Sequence, residues 1–219
     1  MVEPGTFRAA AAIWDVLATP HSAKVSQCSS GAFETVGADW AKNPAAGLAP
    51  SDKTQWKRLD GSAASLSIQG RLIGGCLDAI SRLAGTSYGN VPAFVESARD
   101  EGTVLYLENA ELKPCELARA LHGLGMNGWL SNLQGVLLGR SAAPDASSSD
   151  DFTYIDAIRS VLGGILCPVL FDMDIGHFPP QLSLVNGALA KVEFAAGSGA
   201  IVQQLGSNQS FQQPAFSCR

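Results

Sequence analysis

The chain has 219 residues, of which 46% are hydrophobic and 16% charged, and it carries a net charge of -5 with a pI near 5.1. That length and apolar content support one good core or two small ones and exclude disorder over most of the chain. The acidic balance, with no dense run of Lys or Arg, argues against a nucleic-acid partner, which would ask for a basic patch.

Five cysteines (Cys28, Cys76, Cys115, Cys167, Cys218) are odd in number and widely spaced, with no CxxC pair. This usage suits a reducing compartment and indicates neither a disulfide framework nor a zinc site. The start, Met1 to Gly5, has no basic leader, and no apolar run reaches the ~20 residues of a membrane span. A cytoplasmic protein without a membrane segment is expected.

In chain order, a short helix is predicted from Thr6 to Leu17. Residues to about 62 then run through Ala, Ser, Pro, Asn and Gly, with isolated Trp14, Trp40 and Trp56 and little periodicity. So long an irregular stretch reads as a connection with patches that dock on something. From Ser65 to Gly70 polar and apolar residues alternate as in a strand, and Leu77, Ile80 and Leu83 recur at helical spacing up to Gly85. Val104–Leu107 predicts a strand, Pro114–Leu124 a helix, Val136–Leu138 a strand, Tyr154–Leu162 a helix and Val169–Phe171 a strand. Asn186-Gly187 between Leu182–Val185 and Leu189–Phe194 predicts a type I′ hairpin, with a further strand at Ala200–Leu205. The Gln-rich tail from Gly206 reads as loose. The fold class expected is α/β, a small mixed sheet flanked by helices with hairpin strands near the C-terminus.

Two titratable residues stand at strand ends. Glu108 closes Thr103–Leu107, and His177 lies in Gly176-His177-Phe178-Pro179-Pro180 just after a strand. A carboxylate and an imidazole so placed are two parts of a nucleophilic triad, although an acid after a strand is also commonly a solvated residue or a partner for the next helix's dipole. Gly85-Thr86-Ser87-Tyr88-Gly89 matches the G-x-S-x-G nucleophile elbow. That elbow needs a strand before the serine, and the segment before Ser87 has helical spacing. Asp172, Asp174 and His177 offer three possible metal ligands in six residues, without the spacing of a strong metal loop. His122 falls inside a helix and reads as packing or surface. Gly74-Gly75 lacks the lysine of a phosphate loop and instead implies close backbone approach to another element or a ligand.

Taken together, Gly70–Leu77, Leu105–Asn109, Gly135–Arg140, Asp174–His177 and Leu184–Ala188 resemble the C-terminal half of the LD-carboxypeptidases, a serine peptidase family that also includes the microcin C immunity proteins. The resemblance covers roughly residues 65–195. It implies a cytoplasmic hydrolase with a Ser-His-Glu triad that needs no metal or other cofactor and is split over two domains. Glu108 matches the acid, His177 the base, and the serine belongs to an N-terminal nucleophile domain in a Tyr-Ser-Asp turn. On this likeness residues 1–62 are an interdomain connection, 63–205 the C-terminal-like domain and 206–219 a tail. Family substrates are amides with a free carboxylate end, either the murein tetrapeptide or a peptidyl nucleotide, and family members look dimeric.

The chain departs from the family pattern twice. Cys76 stands where the family has Asn, and no Tyr-Ser-Asp turn occurs, so the expected partner is a separate or upstream nucleophile domain. Alternatives are a non-catalytic binding or assembly module that keeps the fold, and a self-sufficient hydrolase using Ser87.

Overall fold

The computed structural model describes residues 13–20, 23–39, 41–148 and 151–206. A helix, α1, occupies residues 13–18, and four short strands follow: β1 (Lys24–Cys28), β2 (Ala32–Phe33), β3 (Asp52–Lys53) and β4 (Lys57–Arg58). The long β5 (Leu66–Cys76) leads into α2 (Leu77–Ile80), which continues as a 3-10 turn at Ser81–Leu83, and then into α3 (Val91–Ser97). Next come β6 (Thr103–Glu108), α4 (Pro114–Met126), β7 (Gly135–Gly139), α5 (Tyr154–Leu162) and β8 (Val169–Met173). The last strands are β9 (Leu189–Ala195) and β10 (Ser198–Gln204).

Eight strands form one mixed sheet in the order β1-β10-β9-β5-β6-β7-β8-β4, with β2 and β3 as a separate ribbon. The centre, β5-β6-β7-β8, is parallel, and the outer pairings are antiparallel. The apolar runs of β6 and β7 suit strands covered on both faces. Leu105, Leu107, Val136 and Leu138 pack under α4 and α5, while Val104 and Leu137 face the opposite way, onto a cluster with Trp56, Ile175 and Leu182. The α/β class expected from the sequence, a mixed sheet with flanking helices and terminal hairpin strands, is the one observed.

Several details differ from expectation. The stretch before residue 62 supplies both edge strands, β1 on β10 and β4 on β8, and buries Trp56 to 1% exposure. The hairpin turns at Ala196-Gly197, where φ is 50° and 85°, and not at Asn186-Gly187. A further helix, α3, follows the Gly85–Gly89 turn where the sequence indicates no element, with Asn90 accepting from the Ala93 amide as its cap. Cys28 is disulfide-bonded, whereas Cys76, Cys115 and Cys167 are free. This corrects the reading of five unpaired thiols, because cysteine spacing along the chain does not by itself report pairing; the cysteines therefore no longer speak for a reducing compartment. Among the described residues no helix is long and apolar enough to cross a membrane. The tail after Gly206, Trp40 and the first part of the expected Thr6–Leu17 helix lie outside the described residues.

Candidate active site

The carboxyl ends of the parallel strands converge on one rim of the sheet, where ligand sites in open α/β sheets commonly lie. Cys76 ends β5, Glu108 ends β6, Arg140 follows β7, and Asp174 to His177 follow β8. Glu108 and His177, 69 residues apart in sequence, meet there. His177 Nδ1 lies 3.0 Å from Glu108 Oε2. The Glu108 side chain is only 8% exposed while that of His177 is 59% exposed. With the carboxylate accepting from Nδ1–H, the tautomer is fixed and Nε2 is the nitrogen left to take a proton.

The loop that carries His177 is held from beneath by a buried ion pair. Arg140 Nη1 is 3.1 Å from Asp174 Oδ1, and both side chains are almost fully buried. The other end of the guanidinium donates to the backbone oxygens of Phe178 and Pro180, each at 3.2 Å, and its plane lies over the Phe33 ring at 4.3 Å. Asp174 Oδ2 accepts from Trp56 Nε1 at 2.7 Å, and Ser30 donates to Oδ1. A buried charge is tolerated when it is paired and hydrogen-bonded, as both Asp174 oxygens are here, while Arg140 Nε is buried without a hydrogen-bond partner.

Backbone geometry brings the carboxylate close. Gly176 has φ 107°, and a Cβ there would sit 2.8 Å from Glu108 Oε2, so a glycine lets the loop lie against the acid. The chain after Glu108 is fixed by Asp78, which accepts from the amides of Ala110 (2.9 Å) and Glu111 (3.0 Å). Asn109 closes the same turn by accepting from the Leu112 amide and donating to Leu112 O and Ser141. The close approach expected of Gly74-Gly75 is present: a Cβ on Gly74 would sit 1.7 Å from Tyr106 O. Asn186 bridges the same glycine, accepting from its amide at 3.1 Å and donating to its carbonyl at 3.3 Å.

The other sequence candidates separate. Asp172 pairs with Lys57 at 2.8 Å, Asp174 is buried against Arg140, and His177 faces Glu108, so these three do not converge on a cation. Among the described residues no cluster of His, Cys, Asp and Glu could hold a metal. Ser87 is exposed in a turn that follows α2 and its 3-10 extension, which lacks the strand-to-helix geometry of an elbow. His122 lies in α4, away from the strand ends. Residues that sequence reasoning passed over include Arg140, Trp56, Asp78 and Ser30, all of which support the loops around the pair. Arg140 ends the Gly135–Arg140 motif, but nothing local marks it as buried.

A cleft of about 320 Å³ is lined among others by Phe33, Lys53, Arg140 and Tyr154; neither Glu108 nor His177 lines it, but their chain neighbours Asn109 and Phe178 do. Tyr154 is half-buried there, and desolvation of its hydroxyl, with Asp172 and Asp145 nearby, drives it well above the usual phenol range, so it stays neutral.

Fold and rim together define an α/β protein with a buried acid orienting an imidazole at the ends of parallel strands. Residues 69–192, more than half of the chain, match the LD-carboxypeptidase C-terminal domain, and the chain belongs to that family. It is 25% identical over 137 residues to the microcin C7 self-immunity protein MccF of Escherichia coli, covering 63% of this chain and 38% of that protein. It is 27% identical over 167 residues to the putative carboxypeptidase slr1534 of Synechocystis, covering 73% and 50%. In fold it is similar to a muramoyltetrapeptide carboxypeptidase from Oxalobacter formigenes, with a TM-score of 0.62 and 15% identity over 94% of this chain and 57% of that one. The chain thus spans half or less of the length of these two sequence relatives. MccF has been solved in complex with glutamyl sulfamoyl guanosine.

Proposed function

We propose that this chain is the acid-and-base half of an LD-carboxypeptidase-like serine hydrolase, working with a nucleophile domain outside these 219 residues. The observation that carries this reading is the 3.0 Å contact between a buried Glu108 and an exposed His177. In this mechanism His177 Nε2 takes the proton of an incoming serine hydroxyl as the oxygen attacks an amide carbonyl. Glu108 holds the imidazole by Nδ1–H and stabilises the imidazolium that forms, and His177 then returns the proton to the leaving amine. The cleft beside Asn109 and Phe178 is the part of the substrate site contributed by this chain. A peptide with a free carboxylate end or an aminoacyl nucleotide is the expected substrate class, in keeping with the names and ligands of the relatives.

The test combines this chain with a serine-bearing domain, either encoded upstream or taken from a muramoyltetrapeptide carboxypeptidase, and follows release of the terminal amino acid from a murein tetrapeptide. Hydrolysis is expected for the pair, reduced about 10³–10⁴-fold by Glu108→Gln and by His177→Ala, the scale of triad losses. A fluorophosphonate probe labelling the 219 residues alone would overturn the division of labour. Hydrolysis by neither arrangement would favour the second reading, a binding module that keeps the fold without the chemistry.

A further inference from the structure

The cleft of about 320 Å³ carries five charged side chains in its lining: Lys53, Lys57, Arg140, Asp145 and Asp172. Four of them are engaged within the protein. Lys57 pairs with Asp172 at 2.8 Å and Arg140 with Asp174 at 3.1 Å, while Asp145 Oδ1 accepts from the amides of Ala146 (2.8 Å) and Tyr154 (2.7 Å) at the start of α5. Lys53 is the exception. It is exposed on β3, and among the described residues its ammonium has neither an ion pair nor a hydrogen bond.

Two further lining residues keep donors that nothing in the protein uses. Ser141 Oγ accepts from Asn109 Nδ2 at 2.9 Å, which leaves its own hydrogen to give, and Arg140 Nε is buried without an acceptor. Phe33, Leu112 and Phe178 supply apolar surface beside them. The cleft is thus short of one acceptor group and one negative charge, and a concave site strengthens the pull of its fixed charge on an anion.

Size and charge narrow what fits. The volume is at the small end of ligand pockets, which run to roughly 300–1,000 Å³. Only one cation lacks a counter-charge, and Asp145 and Asp172 stay in the lining, so a singly charged carboxylate suits the cleft better than a phosphate dianion.

We propose that this cleft is the subsite for the carboxylate end of the peptide, with Lys53 as its counter-charge and the residue that sets specificity for a free terminus, and with Ser141 as an added donor. The assignment rests on the hydrolase reading above and deepens it. Asn109 and Phe178 directly follow Glu108 and His177 in the chain, so a terminal residue held here by its carboxylate brings the amide before it toward the pair.

The test is binding to the 219-residue chain, followed by NMR amide shifts, with three probes: the murein tetrapeptide, its C-terminal amide and adenosine monophosphate. The tetrapeptide is expected to bind about tenfold more tightly than the amide, the scale of one charge-assisted hydrogen bond, and to shift the amides of Asn109 and Ser141. Lys53→Met should remove that tenfold preference while leaving the amide's affinity unchanged, and Lys53→Arg should keep most of it. Equal binding of acid and amide, a preference that survives Lys53→Met, or no saturable binding of the tetrapeptide would overturn the subsite. Lys53-dependent binding of adenosine monophosphate alone would overturn the choice of a carboxylate. No turnover is needed. Failed hydrolysis with a Lys53-dependent preference intact would remove the hydrolase reading and leave the subsite, whereas hydrolysis with binding indifferent to Lys53 would remove only the subsite.

Discussion

Asp174 lies two residues past a bulge in β8, where Leu137 pairs with Leu170 but Gly139 with Met173, and where Asp172 takes φ 58°. Asp174 turns toward Arg140 and Trp56 beneath the His177 loop, while Asp172, at its positive φ, meets Lys57. Read along the chain, the two aspartates and His177 look like one polar cluster; in the fold each is drawn to a different partner. Asp174→Ala would leave the Arg140 guanidinium buried without its counter-charge and Trp56 Nε1 without its acceptor. A loss of about 3–5 kcal/mol is expected from urea unfolding, the usual cost of breaking a buried pair from one side. Amide exchange at 176–178 should also quicken in that variant, because the loop's anchor goes with the charge. Glu108 and His177 were legible as residues from strand ends and motif, but Arg140, Trp56 and Ser30 were not, since their roles come from burial and nothing in their local sequence announces it.

At the scale of elements, periodicity found the central helices and strands well. Tyr154–Leu162 forms as expected because Thr153 and Asp156 cap each other's amides, a signal written in four adjacent residues. The hairpin was misplaced for a physical reason. The backbone of 183–185 is taken by side-chain amides, with Gln27 Oε1 accepting from Ser183 N at 2.8 Å and Gln203 Oε1 from Val185 N at 2.8 Å, so this segment does not pair as a strand. Asn186 spends its side chain on Gly74, and the true turn falls to Ala196-Gly197. An alanine at φ 50° pays a steric penalty that asparagine tolerates better. Ala196→Asn should accordingly stabilise the chain by about 0.5–1 kcal/mol, read as a raised urea midpoint at unchanged slope; a lower midpoint would show that the turn's side chain is constrained in some other way.

For the whole molecule, the early residues matter more than their irregular sequence suggests. β1 and β4 cover the edges of β10 and β8, and Trp56 fills the core on one face. A chain beginning at Ala63 would expose two strand edges and remove that tryptophan, so it is expected to aggregate more readily than residues 1–219, as followed by size exclusion. A soluble, monomeric 63–206 piece would instead make the first 62 residues a detachable connection. The sequence by itself determined the alternation of strands and helices, the family motifs and the two strand-end residues, because periodicity, capping and turn chemistry are local and act between near neighbours. Tertiary structure alone decided that Glu108 and His177 touch, that Asp174 is a buried anchor, that Ser87 stays apart and that Cys76 pairs with Glu108 in the parallel register. Those outcomes depend on parallel register, a bulge and edge pairing between segments distant in sequence, where the free energy comes from burial and charge pairing that no local pattern records.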